Sequence, residues 1–332
     1  MIRNAPAFEV RNLRKVYKEP TVLANDGITF TVEPGETFGL LGPNWAGKST
    51  VVKQLVGLVA PTSGEVRLFG EPIVAGAGAE MRVGRTVAYL PQSVLPLGEL
   101  KVNEALRWTG MLRGLGKATA KTEADELIDV LQLGSIVDRQ MRKLSGGQKR
   151  LTHIGMTLAG RLPVLILDEP TAVIDPSLRR KIWDLIGDRC RQGAAVILVT
   201  HDVAEAEHAL GRVAIIDRGK VVARGTPAEL KADLSHRTRI ELVVAEGVAL
   251  DVRRLAADMG GDTRVRGRRV SAWVPADLAL RTLEKVMAAA EPGQLEDVRL
   301  VTPGLEDVYL ELRGHAFEED EPVPDGSEDV GA

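Results

Sequence analysis

Residues 39 to 50 read GLLGPNWAGKST. Gly42, Gly47, Lys48 and Ser49 fit the spacing G-x-x-x-x-G-K-[ST], a loop whose backbone N–H groups converge on phosphate oxygens at a helix N-terminus. FGLL before it reads as a strand and KSTVVKQLVGL after it as a helix, the context this motif requires. The loop Gly42, Pro43, Asn44, Trp45, Ala46, Gly47, Lys48, Ser49 and Thr50 is therefore expected to hold a nucleotide. Lys48 would reach the β- and γ-phosphates, and Ser49 would offer its hydroxyl to Mg²⁺. LPVLILDEP comes next. A buried strand delivers Asp168 and Glu169 at its C-terminal end, where open α/β sheets bind ligands. Asp168 suits Mg²⁺, and Glu169 suits polarising an attacking water. A third stretch, LSGGQKR at 144–150, has Ser145 as a candidate N-cap and Gly146 and Gly147 to let backbone approach a ligand. Alone, the second and third stretches read equally well as ordinary helix starts.

These motifs are carried by short runs that are apolar without alternation: TFGLLG, PVLILDE, AAVILVTH and VAIID. Such runs suit strands covered on both faces, as in a parallel sheet. Between them lie helical patterns, with Leu127, Ile128 and Leu131 on one face and Leu178, Ile182, Leu185 and Ile186 on another. Strand and helix alternate from about residue 37 to 216, which reads as an α/β domain. The pattern then changes. RIELVVA reads as a strand, DVRRLAADMG as a helix, TRVRGRRVSAWVP as a hairpin turning at Gly267, and DLALRTLEKVMAAA as a helix with Leu280, Leu283, Val286 and Met287 inward. QLEDVRLV and PGLEDVYLELRG follow as a strand and a short helix. The order β-α-β-β-α-β predicts a small α+β ferredoxin-like domain. The acidic stretch at 315–332 is poor in apolar groups and is expected to be disordered.

The chain has 332 residues, enough for two domains, and a net charge of −3, which gives no general basic field for nucleic acid. Its one cysteine, Cys190, excludes an internal disulfide and a multi-cysteine metal site. MIRNAPAFEV lacks the apolar run of a secretory signal, and no apolar run is long enough to cross a bilayer.

As an ordered set, the phosphate loop, LSGGQ and the strand ending in Asp-Glu resemble the ATP-binding subunit of ATP-binding cassette (ABC) transporters over about residues 7 to 225. The resemblance implies a P-loop NTPase fold, an ABC ATPase domain with a RecA-like core over 1–230 and a helical subdomain at about 93–155. The accessory domain would cover 231–314. It also implies roles for further residues. Tyr17 would stack on adenine, and Gln92 in YLPQS would sense the γ-phosphate site, contact the membrane subunit and join Ser49 and Asp168 on the Mg²⁺. Asp175 in TAVIDP would be the D-loop aspartate, and His201 in VTHD would contact the γ-phosphate. Two copies would pair head to tail, each ATP lying between one copy's phosphate loop and the other's Ser145, Gly146, Gly147 and Gln148. A homodimer is preferred over a heterodimer, with separate transmembrane permease subunits as partners, no nucleic acid, and a peripheral place on the cytoplasmic face of the membrane. RGTPAEL and the tail domain resemble the daunorubicin-resistance type of drug exporter ATPase (ABC-2). Members acting in translation carry two cassettes, and members acting in DNA repair insert a long coiled coil; this chain shows neither.

Two positions depart from the family pattern. Trp45 stands where the family has glycine, and TAVIDP places Val173 and Ile174 where it has Gly-Leu. If position 45 requires positive φ, a bulky residue there costs on the order of 1–3 kcal/mol, roughly a five- to hundredfold loss of affinity. Three readings are open: a weakened site in a catalytically slow or regulatory subunit, a Trp pointing outward or covering the nucleotide with the loop intact, or a change introduced into the chain.

Overall fold

A computed structural model describes residues 5–312, apart from 77, 94–96, 204–206, 247–258, 260–261 and 292. The chain divides into two compact units, Met1–Pro227 and Ala228–Ala332. The expected acidic tail at 315–332 lies outside the described residues, as does nearly all of the helix expected over 251–260.

The first unit holds two sheets. One is antiparallel, in the order β2-β1-β4-β5, from β1 (Phe8–Lys18), β2 (Thr21–Val32), β4 (Ser63–Leu68) and β5 (Glu71–Pro72). The other has the order β10-β9-β3-β8-β7-β6. It is built from β3 (Thr37–Leu41), β6 (Val87–Leu90), β7 (Val164–Asp168), β8 (Ala195–Thr200), β9 (Arg212–Asp217) and β10 (Lys220–Gly225). Its strands run parallel except β10, which returns antiparallel to β9. Every residue of β3, β7 and β8 is buried, as runs without alternation require when both faces of a sheet are covered. The antiparallel sheet packs its apolar side (Phe8, Val10, Leu13, Ile28, Phe30 and Val32) into the same core as Val164, Ile166 and Ile197.

Helix α1 (Lys48–Leu55) follows β3 directly, and α2 (Ala79–Gly84) precedes β6. The long connection from β6 to β7 carries α3 (Val102–Leu112), α4 (Lys117–Val130) and α5 (Gly146–Leu158). Leu127, Ile128 and Leu131 are buried there, as their spacing predicts. Helix α6 (Pro176–Arg191) joins β7 to β8 and turns Ile182 and Ile186 inward. The polypeptide thus keeps returning to one edge, so the turns after β3, β6, β7 and β8 all lie at the carboxyl ends of parallel strands.

The second unit begins within α7 (Pro227–Lys231). It contains a four-stranded antiparallel sheet in the order β12-β13-β11-β14, from β11 (Arg237–Val244), β12 (Asp262–Arg266), β13 (Arg269–Pro275) and β14 (Leu295–Val301). Helices α8 (Ala279–Ala289) and α9 (Leu305–Leu312) flank β14 in sequence. The hairpin turns at Gly267, with Arg266 opposite Arg269. One expectation needs correcting. On α8 the buried face is Ala279 and Val286, with Leu283 packed against them, whereas Leu280 and Met287 are exposed. The 279–283–286 spacing forms a stripe one residue away from the predicted one, and small Ala279 lets the helix lie close to Ile240 and Val274 in the same core.

Candidate functional site: a nucleotide cavity at the strand ends

The loop between β3 and α1 is shaped by two crowded glycines. A Cβ on Gly42 (φ 143°) would lie 2.0 Å from the carbonyl oxygen of Ile216, and one on Gly47 (φ 101°) would lie 2.3 Å from that of Ala24. No other residue fits either place. Gly47 is the N-cap of α1, so the free N–H groups of the first helical turn open into the loop. Lys48 is buried and donates from Nζ to the carbonyls of Gly42 (2.5 Å) and Pro43 (2.7 Å). Burial lowers its pKa, and the charges of Glu169 and Asp168 push the other way.

Strand β7 delivers the acids. Asp168 is buried, and its carboxyl is pushed up to about 6 by that burial first and by the Glu169 charge second, while Arg150 and Lys48 pull it down. Glu169 sits in left-handed backbone (φ 50°). Both of its oxygens are engaged: Oε1 accepts from the backbone N–H (2.9 Å) and Nδ1–H (2.6 Å) of His201, and Oε2 accepts from the Thr200 hydroxyl (3.0 Å). A carboxylate only accepts, so Nδ1 of His201 carries the hydrogen.

A cavity of about 540 Å³ opens over these groups, lined by Tyr17, Asn44, Trp45, Ala46, Gly47, Lys48, Ser49, Thr50, Gln92, Asp168 and Glu169 together with residues of the β1–β2 and β9–β10 turns. Eleven of the expected site residues therefore meet in one place. Gly42 and Pro43 act behind it through the carbonyls that hold Lys48, and His201 reaches it through Glu169. Among the described residues, the Ser49 hydroxyl, the Gln92 amide and the Asp168 carboxyl make no hydrogen bond or ion pair within the protein. These three oxygen donors match the preference of Mg²⁺ for hard ligands.

Ser145, Gly146, Gly147, Gln148 and Asp175 do not line this cavity. Ser145 caps α5 in a reciprocal box. Its hydroxyl accepts from the Gln148 N–H (3.3 Å), and its own N–H donates to Gln148 Oε1 (3.1 Å). Asp175 caps α6, accepting from the N–H (2.9 Å) and hydroxyl (2.7 Å) of Ser177, bonds that hold its carboxyl below the usual range. The two loops adjoin: a Cβ on Gly147 would lie 3.2 Å from the carbonyl oxygen of Val173.

Trp45 and Val173 both adopt the left-handed backbone that favours glycine, with φ of 68° and 60°. Trp45 is fully exposed (101%) and Val173 is 76% exposed. The strain expected at position 45 is present, and the indole points outward rather than filling the loop. Sequence reasoning missed Arg150, which lies two residues beyond Gln148. Its guanidinium is buried and donates to the carbonyls of Pro91 (2.5 Å), Asp168 and Glu169 (2.7 Å). A basic residue at a buried position of the α5 pattern was the available signal.

Residues 25–172 match the family model described as ABC transporter. The chain is 35% identical over 305 residues to the Nod factor export ATP-binding protein I of Paraburkholderia xenovorans, covering 90% of this chain and 98% of that protein. It is 33% identical over 316 residues to the daunorubicin/doxorubicin resistance ATP-binding protein of Streptomyces peucetius, covering 93% of each. The chain belongs to the ABC transporter ATP-binding family. A solved structure described as the ATP binding subunit of an ABC transporter superposes with a TM-score of 0.63 and 29% identity, over 69% of this chain and 93% of that one. The cassette is accordingly a P-loop α/β ATPase, and the cavity described above is where its phosphate loop opens.

Three outcomes follow from this geometry. Replacing Arg150 by Met strands several buried carbonyls and should cost about 3 kcal/mol in urea unfolding. Val173→Gly relieves left-handed strain, whereas Ala172→Gly, at an exposed neighbour without positive φ, does not; the first should be more stable than the second by about 1 kcal/mol. Finally, the folded pKa of Asp168 lies above its unfolded value, so the folded chain binds the extra proton. Nucleotide-free stability should therefore fall as pH rises from about 4 to about 6, by about 3 kcal/mol at most, and Asp168→Asn should flatten that slope.

Proposed function

We propose that the chain is the energy-supplying subunit of an exporter, with two copies closing around ATP beneath separate membrane subunits. The observation that carries this reading is the meeting, in one cavity, of the α1 N-terminus, buried Lys48 and the Asp168–Glu169 pair. Export is supported by relatives whose names state Nod factor export and daunorubicin/doxorubicin resistance, and the cargo is proposed to be a drug, an antibiotic or a lipid. The chain is proposed to lie peripherally on the cytoplasmic face, against separate permease subunits; no described helix is long and apolar enough to cross a membrane.

In this reading Tyr17 takes the base, and the N–H groups of residues 44–50 bind phosphate oxygens. Lys48 exchanges its two carbonyl partners for the β- and γ-phosphates. Mg²⁺, held by Ser49, Gln92 and Asp168, would offset phosphate charge when bound. Glu169 orients the attacking water and accepts its proton, and His201 holds the γ-phosphate once its contact with Glu169 is released. The separate group of Ser145, Gly146, Gly147, Gln148 and Asp175 serves the nucleotide of the second copy. Head-to-tail pairing accounts for the place of these residues, exposed or half-buried at the starts of α5 and α6, outside their own chain's cavity. A homodimer is the simplest form, because each chain carries a full set of both halves. The second unit, with strand order β12-β13-β11-β14, is proposed as a ferredoxin-like accessory domain over 231–314.

The left-handed strain at Trp45 supports slow turnover as a second reading, without loss of hydrolysis. Glu169→Gln should abolish Mg²⁺-dependent ATP hydrolysis while leaving ATP binding intact, and should trap an ATP-dependent dimer visible by sedimentation. Emission from Trp45, fully exposed in the single chain, should shift to the blue in that dimer. A trapped variant that stays monomeric at saturating ATP sinks the pairing.

A further inference from the structure

The cavity has one cationic wall that the roles above leave unused. The turn between β9 and β10 contributes Arg218 and Gly219 to its lining. This turn is fastened on two sides. The Gly219 N–H donates to the Ala46 carbonyl of the phosphate loop (3.0 Å), and its own carbonyl accepts from the Asp26 N–H of β2 (2.8 Å). Gly219 is also wedged against β2, because a Cβ there would lie 2.9 Å from the Ala24 carbonyl oxygen. Arg218 stands immediately before it in left-handed backbone (φ 46°). Its position is thus set by the phosphate loop and by the hairpin that carries Tyr17.

Its charge is uncommitted. Among the described residues, Arg218 has no hydrogen bond, ion pair or ring contact. Lys48, the other cation lining the cavity, and three cations close to it are occupied. Lys48 donates to two carbonyls, Lys15 donates to Ala60 and lies 5.2 Å from the Tyr17 ring centroid, and Arg14 and Lys220 both pair with Asp26. The left-handed backbone of Arg218 and Gly219 is what a two-residue turn between paired Asp217 and Lys220 requires, but the guanidinium itself makes no contact that serves the fold. A planar fork of donors is, however, well suited to phosphate oxygens.

We propose that Arg218 reads the α-phosphate of the bound nucleotide. The inference rests on the reading that Tyr17 takes the base and that Lys48, Asp168 and Glu169 surround the terminal phosphates. Gly219, tied at once to Ala46 and to the β1–β2 hairpin, fixes the backbone of its exposed neighbour Arg218 beside the stretch of cavity wall between Tyr17 and the phosphate loop, where the α-phosphate would lie in that reading. The contact is made equally with ATP, ADP and AMP, so Arg218 supplies binding shared by substrate and product rather than rate.

The test uses the full-length chain without metal, titrated with ADP, AMP and adenosine, comparing wild type with Arg218→Ala and Arg218→Lys. Thermal unfolding of each variant checks that it folds. The Ala variant should bind ADP and AMP about tenfold more weakly, with adenosine unchanged, and Lys should recover part of the loss as a point charge without the fork. In turnover assays KM should rise with kcat unchanged. The assignment is overturned if ADP affinity stays within about twofold in the Ala variant, if adenosine weakens in parallel, or if only ATP is affected. A wild-type chain that binds neither ADP nor AMP would overturn the nucleotide reading along with it.

Discussion

One buried guanidinium holds the site together. Arg150 leaves α5 five residues after its Ser145 cap and spends its donors on the carbonyls of Pro91, Asp168 and Glu169, at the ends of β6 and β7. Parallel strands that stop at a ligand cavity leave backbone carbonyls without ladder partners, and such groups are costly when buried. Satisfying them with a side chain instead of water keeps the strand ends dry and fixed. It also fastens α5 to the backbone that presents the two acids. Burial lowers the pKa of this arginine, but Asp168 and Glu169 support its charge, so cation and acids depend on one another.

That rigidity bears on how non-glycine residues other than the hairpin-turn Arg218 persist in left-handed backbone around a single function. Trp45, Glu169 and Val173 each pay a local conformational cost that survives only where the surroundings fix the turn. Around Trp45 the fixing comes from Gly42 and Gly47, whose missing side chains let the loop press against Ile216 and Ala24. Around Glu169 it comes from the Arg150 bond and from the Glu169 N–H donating to the Val199 carbonyl (2.8 Å). Bulky groups on the loop's outer side are therefore compatible with an inner side made of backbone.

How much of this was legible in the sequence differed by element, for physical reasons. TFGLL, VLILD and AVILVT announced doubly covered strands, because burial on both faces leaves no room for polar alternation. The phosphate loop and the acids at the end of β7 were legible because their chemistry fixes both type and spacing. The antiparallel sheet was not. The pairing of β1 with β2 shifts register three times, which breaks the period-two pattern on which a reading relies. The face of α8 was misjudged because leucines were weighted above Ala279, although a small residue often marks where a helix lies closest. Arg150 and Arg218 escaped because neither burial of a charge nor its freedom from partners is written in local sequence; both depend on what distant segments bring alongside.

The contacts of Glu169 bear on how fuel is used. Before nucleotide enters, the proposed base has both carboxylate oxygens engaged by Thr200 and His201, leaving it little capacity to activate water. Freeing it requires His201 to find another partner, and in the proposed scheme only a terminal phosphate provides one. An idle subunit would then sit latched, with consumption tied to a fully loaded site and waste between transport cycles kept low.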